Sequence, residues 1–176
     1  MRRRTIWFLL TVACLIGGSV VSSMVAYVLR QRQFIATQQF VQEHGGSLQF
    51  DLVDGNYMVD LHGDAATDET IQKLVPTLKE LPTGFTLIGP GEERSFWISL
   101  DGSSISDAGI GKLCELRMGW LNLSGVSITD ATARRLSQHA TIYGIVLNKV
   151  HLSDSAIAQL RASKPNATVT VDGDSE

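Results

Sequence analysis

The sequence predicts an α/β fold: a short solenoid of stacked strand–turn–helix units, with a parallel β-sheet on its concave side and helices on its convex side, preceded by one transmembrane helix. Three observations predict it. An unbroken stretch without charge runs from Ile6 to Leu29. Apolar-x-apolar pairs return at Ile98/Leu100, Leu121/Leu123 and Ile145/Leu147, so that the step from Leu100 to Leu123 is nearly equal to the step from Leu123 to Leu147. Each pair is followed by Ser-Asp or Thr-Asp and then by apolar residues at helical spacing.

Residues 1–5 carry Arg2, Arg3 and Arg4 and are expected on the cytoplasmic side, because positive flanks favour it. Residues 6–29 are long enough to cross a hydrocarbon core of ~30 Å at ~1.5 Å per residue. The chain beyond is then expected outside the cytoplasm, as the soluble part of a single-pass membrane protein. A cleaved signal peptide is the alternative, but its apolar region is ordinarily ~7–15 residues long. A lipoprotein signal at Cys14 fits less well, since the apolar run continues past that cysteine. Small residues at helical spacing in the span, Ala13 with Gly17 and Gly18 with Ser22 and Ala26, permit a homodimer.

Residues 30–56 are expected to form a juxtamembrane helix and an N-terminal cap. Gln33 to Glu43 reads as a helix ended by Gly45-Gly46. Ser47 to Leu52 alternates like a strand, and Asp54-Gly55 is a turn signal. Residues 57–171 hold the repeats, with a weaker copy upstream at Val59/Leu61 and a terminal strand at Val169/Val171. Leu61 and Leu100 are separated by more than one period; Phe85-Thr86-Leu87 is expected as an additional strand and Gly89–Arg94 as a loop in place of its helix. Residues 172–176 form an acidic tail.

A strand–turn–helix unit of about 23 residues cannot bury its apolar face alone, whereas stacked copies share one core. The Asp of each turn (Asp68, Asp107, Asp130, Asp154) follows Ser or Thr and opens a helix. Such residues accept hydrogen bonds from free N–H groups and complement the helix dipole. A ladder of calcium ligands is the rival reading; it is disfavoured because one carboxylate per turn falls short of the 6–8 oxygens calcium takes.

These units resemble the leucine-rich-repeat family, in its ribonuclease-inhibitor-like or cysteine-containing subclass. Leu121-Asn-Leu123 with Ile128-Thr129-Asp130 carries the resemblance, as does Leu100 with Ile105-Ser106-Asp107-Ala108-Gly109-Ile110. It covers residues 57–171 and departs from the pattern between Thr77 and Phe96. The whole chain is also similar to small membrane-anchored bacterial proteins built from a span and a few such repeats. The resemblance implies protein–protein interaction and is nearly silent on function otherwise.

Charge narrows the partners. Five basic residues flank the span, and all 18 acidic residues follow Gln33, where ten basic residues remain, for a net charge of −8. Such a domain repels phosphate backbones, so nucleic acid is not expected. Cys14 and Cys114 lie too far apart in the plan to pair, and Cys114 is expected as a small core hydrophobe. None of His44, His62, His139 and His151 has a second ligand at zinc spacing. No nucleophile turn and no phosphate-binding loop occurs. The chain is therefore read as no enzyme, with no cofactor and no metal.

The informative surface is the concave strand face, where residues alternate with the buried pairs. Trp97 and Trp120 occupy the same repeat position in successive units. With Ser99, Asp101 and Asn122 they make the expected protein-binding face. The alternative is that both indoles only cover the core edge. The function expected is a non-catalytic, membrane-tethered module binding a peptide or protein on this face. The alternative is a structural or self-associating envelope component with no dedicated ligand face.

Overall fold

The structure, a computed structural model, describes residues 22, 24, 25, 27–29, 31–81, 85–86, 89–90 and 95–171. Most of the expected span at 6–29 lies outside them, as do residues 1–5 and the tail at 172–176. No helix among the described residues is long and apolar enough to cross a membrane.

Helix α1 covers residues 31–43, starting two residues before the expected Gln33, and the described residues from 22 to 29 are helical as well. Gly45 ends it with φ of 73°. The Gly45 N–H donates to the Gln42 carbonyl and the Gly46 N–H to the Val41 carbonyl, both at 3.0 Å. These two bonds satisfy carbonyls the helix end leaves open. Val41 is fully buried, and Phe34 and Phe40 pack against the core.

Strand β1 (Ser47–Phe50) pairs antiparallel with β2 (Tyr57–Asp60). The turn is wider than the Asp54-Gly55 signal implies. The Asp51 N–H donates to the Asn56 carbonyl, and Asp51 Oδ1 accepts the Val53 N–H at 2.7 Å. Helix α2 (Asp68–Glu80) follows, then a two-stranded antiparallel pair, β3 (Phe85–Thr86) with β4 (Gly89–Pro90). The chain continues as β5 (Phe96–Ser99), α3 (Asp107–Leu113), β6 (Met118–Asn122), α4 (Asp130–Gln138), β7 (Gly144–Leu147), α5 (Asp154–Ser163) and β8 (Thr168–Val171).

The main sheet has the order β1-β2-β5-β6-β7-β8, parallel except for β1. Val59, Ile98, Leu121, Ile145 and Val169 stand in register across it. Leu61, Leu100, Leu123 and Leu147 form the next row and are buried. Strand β2 pairs directly with β5, so the expected strand at Phe85–Leu87 adds no rung to this sheet. The extra chain length between Leu61 and Leu100 goes into α2, 13 residues against seven in α3, and into the β3–β4 excursion. Between β5 and β6 the register shifts, because Phe96 faces Met118 whereas Trp97 faces Trp120. Gly119 is the extra residue, a bulge where a side chain would run into Tyr143 and the Ser95 hydroxyl.

The helices pack side by side in chain order, and their inner faces meet the sheet. Ile71, Leu74, Ile110, Leu113, Leu136 and Leu160 are fully buried there. Cys114 packs against this core half-buried, and burial pushes its thiol above the ordinary value.

Helices α2 to α5 are each capped by their own Ser or Thr: Thr67, Ser106, Thr129 and Ser153 accept from an N–H in the first turn. The Asp that follows does something else. Its carboxylate crosses to the next unit. Asp68 accepts the Ser106 N–H at 2.9 Å, the Ser106 hydroxyl at 2.5 Å and the Gly109 N–H at 3.1 Å. Asp107 accepts the Thr129 N–H at 2.9 Å and the hydroxyls of Thr129 and Thr132, each at 2.5 Å. Asp130 accepts the Ser153 N–H at 3.0 Å and hydroxyl at 2.7 Å. The expected capping role thus holds for Ser and Thr, while three of the carboxylates tie neighbouring units together. Burial alone would raise the Asp107 carboxyl, but the bonds from Thr129 and Thr132 outweigh it and hold it below the ordinary value. The Ser153 bonds hold Asp130 low in the same way. Among the described residues, no group of three or more His, Cys, Asp or Glu is placed to hold a metal ion.

Candidate functional site

The sheet face turned away from the helices carries two rows of side chains. Gln49, Met58, Trp97, Trp120, Gly144 and Thr168 form one row by strand register. Ser47, Asp60, Ser99, Asn122, Val146 and Thr170 form the other. Strict alternation along each strand puts them all on one face, opposite the buried leucines.

The two tryptophans are nearest neighbours in register, as the repeat spacing predicts, and both are half-buried. Their surroundings explain how each is held. Trp120 lies over Gly144, where any Cβ would collide with the indole. Gly144 therefore gives up its place in the row to the neighbouring ring. Trp97 meets Tyr143 edge to face, with ring centroids 6.4 Å apart and planes at 76°. The Trp97 Nε1–H is buried, and the Tyr143 hydroxyl is the polar group beside it. Burial raises the Tyr143 phenol above its ordinary value, and the nearby Trp97 N–H draws it partly back.

A shallow groove of about 250 Å³ opens between these indoles and the β1–β2 hairpin. Trp97, Trp120 and Met58 supply its apolar walls, and Ser47, Gln49, Asp60 and Ser99 its polar ones. Met58 is 40% exposed. The Asp60 carboxylate is half-exposed, with His62 Nδ1 3.8 Å away as its ion-pair neighbour. The two rows contain no Lys or Arg.

Of the five residues expected from sequence, the groove brings together Trp97, Ser99 and Trp120. Asn122 lies in the second row but outside the groove. Its Oδ1 accepts both the N–H and the hydroxyl of Ser124, at 3.0 and 2.6 Å, so the side chain closes the turn after β6. Asp101 is exposed in the turn after β5, also outside the groove. Sequence reasoning missed Ser47 and Gln49 as lining residues. Their signal was the alternation of Ser47 to Phe50 combined with a hairpin into β2, which places Gln49 opposite Met58.

A second hollow, of about 400 Å³, lies between the segments that follow α4 and α5. Lys164 is buried in its wall, and its amine donates to the His139 carbonyl. That carbonyl closes helix α4, so the lysine acts as a cationic cap at a helix C-terminus. Burial lowers the Lys164 amine from its ordinary value. His139 is also lowered by burial, and its Nε2–H donates to the Leu116 carbonyl at 2.9 Å. Both groups are committed to backbone carbonyls and form part of the framework.

No protein-family model matches the chain, and no curated protein is significantly similar to it.

Proposed function

We propose that the chain is a membrane-tethered, non-catalytic interaction module: a short leucine-rich-repeat solenoid, anchored through 6–29 with its repeats outside the cytoplasm, that binds a peptide or protein segment on its sheet face. One observation carries the reading. Two indoles stand side by side over a groove on a regular sheet face. Paired aromatic side chains in a rimmed depression are frequent anchors at interfaces.

A photo-reactive amino acid placed at Ser99, compared with one at Lys73 on α2, tests this in intact membranes. The groove position is expected to capture a partner that the helix position does not, and Trp97→Ala with Trp120→Ala to abolish the capture. Capture only of further copies of this chain, from both positions alike, would favour a self-associating envelope component with no dedicated ligand face.

A further inference from the structure

We infer that the groove between Trp97, Trp120 and Asp60 receives a lysine or arginine side chain of an extended peptide segment; this rests on the reading of the sheet face as a peptide-binding surface. Size comes first. At about 250 Å³ the groove is smaller than the ~300–1,000 Å³ of ordinary small-molecule pockets. It suits one long side chain, with the rest of the partner lying outside.

The lining selects which side chain. Trp97, Trp120 and Met58 form walls along which an aliphatic stem can lie. Indole faces are electron-rich and attract a cation within about 6 Å of the ring. Asp60 stands in the same groove with a half-exposed carboxylate, and His62 at 3.8 Å is its one ion-pair neighbour among the described residues. The two rows contribute no opposing cation, and the chain after Gln33 carries ten basic against 18 acidic residues.

Other occupants fit less well. An acidic or phosphorylated segment would meet Asp60 with like charge. A purely apolar side chain would strip water from that carboxylate and give it nothing in return. A cationic head on an apolar stem satisfies the walls and the carboxylate together and adds charge complementarity to the acidic domain. Among the described residues, the Ser99 hydroxyl accepts a long 3.5 Å contact from Asn122 and donates to none, so its proton is open to a partner carbonyl.

The test uses the full chain with Trp7→Phe, so that emission reports Trp97 and Trp120 alone. Three blocked nonapeptides of alternating Gly and X, with X as lysine, norleucine or glutamate, are titrated while indole emission is followed. The lysine peptide is expected to give a saturable change, with the norleucine peptide at least about five-fold weaker and the glutamate peptide silent. Asp60→Asn should erase the lysine preference, and Asp60→Glu should retain it. A norleucine peptide that binds as tightly as lysine, or a preference that survives Asp60→Asn, would overturn the cation assignment and leave the binding face standing. Silence from all three peptides would remove both.

Discussion

Asp107→Ala and Asp154→Ala together separate two accounts of the turn carboxylates. Both residues open a helix, α3 and α5, and both follow a capping serine. If each Asp served its own helix alone, the two substitutions would cost the same. The structure gives them different work. Asp107 accepts three hydrogen bonds from the unit that follows, two from Thr129 and one from Thr132. Among the described residues, Asp154 accepts none. The Asp107 bonds sit near the surface, so the freed groups rehydrate, and each is worth about 1 kcal/mol net. Removing the charge at the first helical position costs a further ~0.3–1 kcal/mol for either residue. Asp107→Ala should therefore lose about 3–4 kcal/mol, and Asp154→Ala less than about 1 kcal/mol. Equilibrium urea unfolding followed by circular dichroism measures both. A cycle with Thr129→Val should show the coupling directly. Equal losses for the two alanine variants, or no coupling to Thr129, would refute the inter-unit role.

Three further outcomes follow from the same geometry. The Asp107 and Asp130 carboxyls lie below their ordinary value when folded, so their contribution is complete above about pH 5 and is lost as pH falls through the lowered values; the urea midpoint should drop in that acid range, less steeply in Asp107→Asn. Gly109→Ala would place a Cβ against the Asp68 carboxylate and 2.6 Å from Ile105 Cγ2. It should lose about 1–3 kcal/mol, where an unhindered helical Gly→Ala gains up to ~1; an unfolding midpoint at or above wild type would contradict the crowding. Trp97→Phe removes the indole N–H beside the Tyr143 hydroxyl at the expense of some apolar area. Its stability to urea should fall by less than about 1.5 kcal/mol, and a larger loss would contradict a weak contact between the N–H and that hydroxyl.

Much of the sheet was legible because parallel strands covered on one face alternate strictly. The alternation alone sets Ile98, Leu121 and Ile145 in one row and Trp97 beside Trp120. Ser and Thr caps were legible for a local reason, since a cap acts within its own first turn. What lay hidden depends on offsets between elements. Whether a carboxylate turns to its own helix or to the next is decided by the sideways step between units, which no single unit encodes. The β3–β4 pair could not be placed because Phe85–Thr86 looks like any other short strand until its partner is known. Half of the groove was hidden because its second wall comes from β1, whose register with β2 follows from the Asp51 turn. Asn122 was expected on the binding face, and only the Ser124 side chain two residues on shows that its carbonyl oxygen is held in the turn.

The two ends of the sheet are finished unequally. At one end β1 and α1 shield β2, with Val41 and Leu48 fully buried or nearly so. At the other, β8 pairs only with β7 among the described residues, and α5 buries only Ala156 and Leu160. Opening should therefore have a direction. Deuterium should enter the amides of β8 and α5 first and those between β2 and β5 last. A pull applied from the far end would strip the molecule one layer at a time, while the layer nearest α1 held longest.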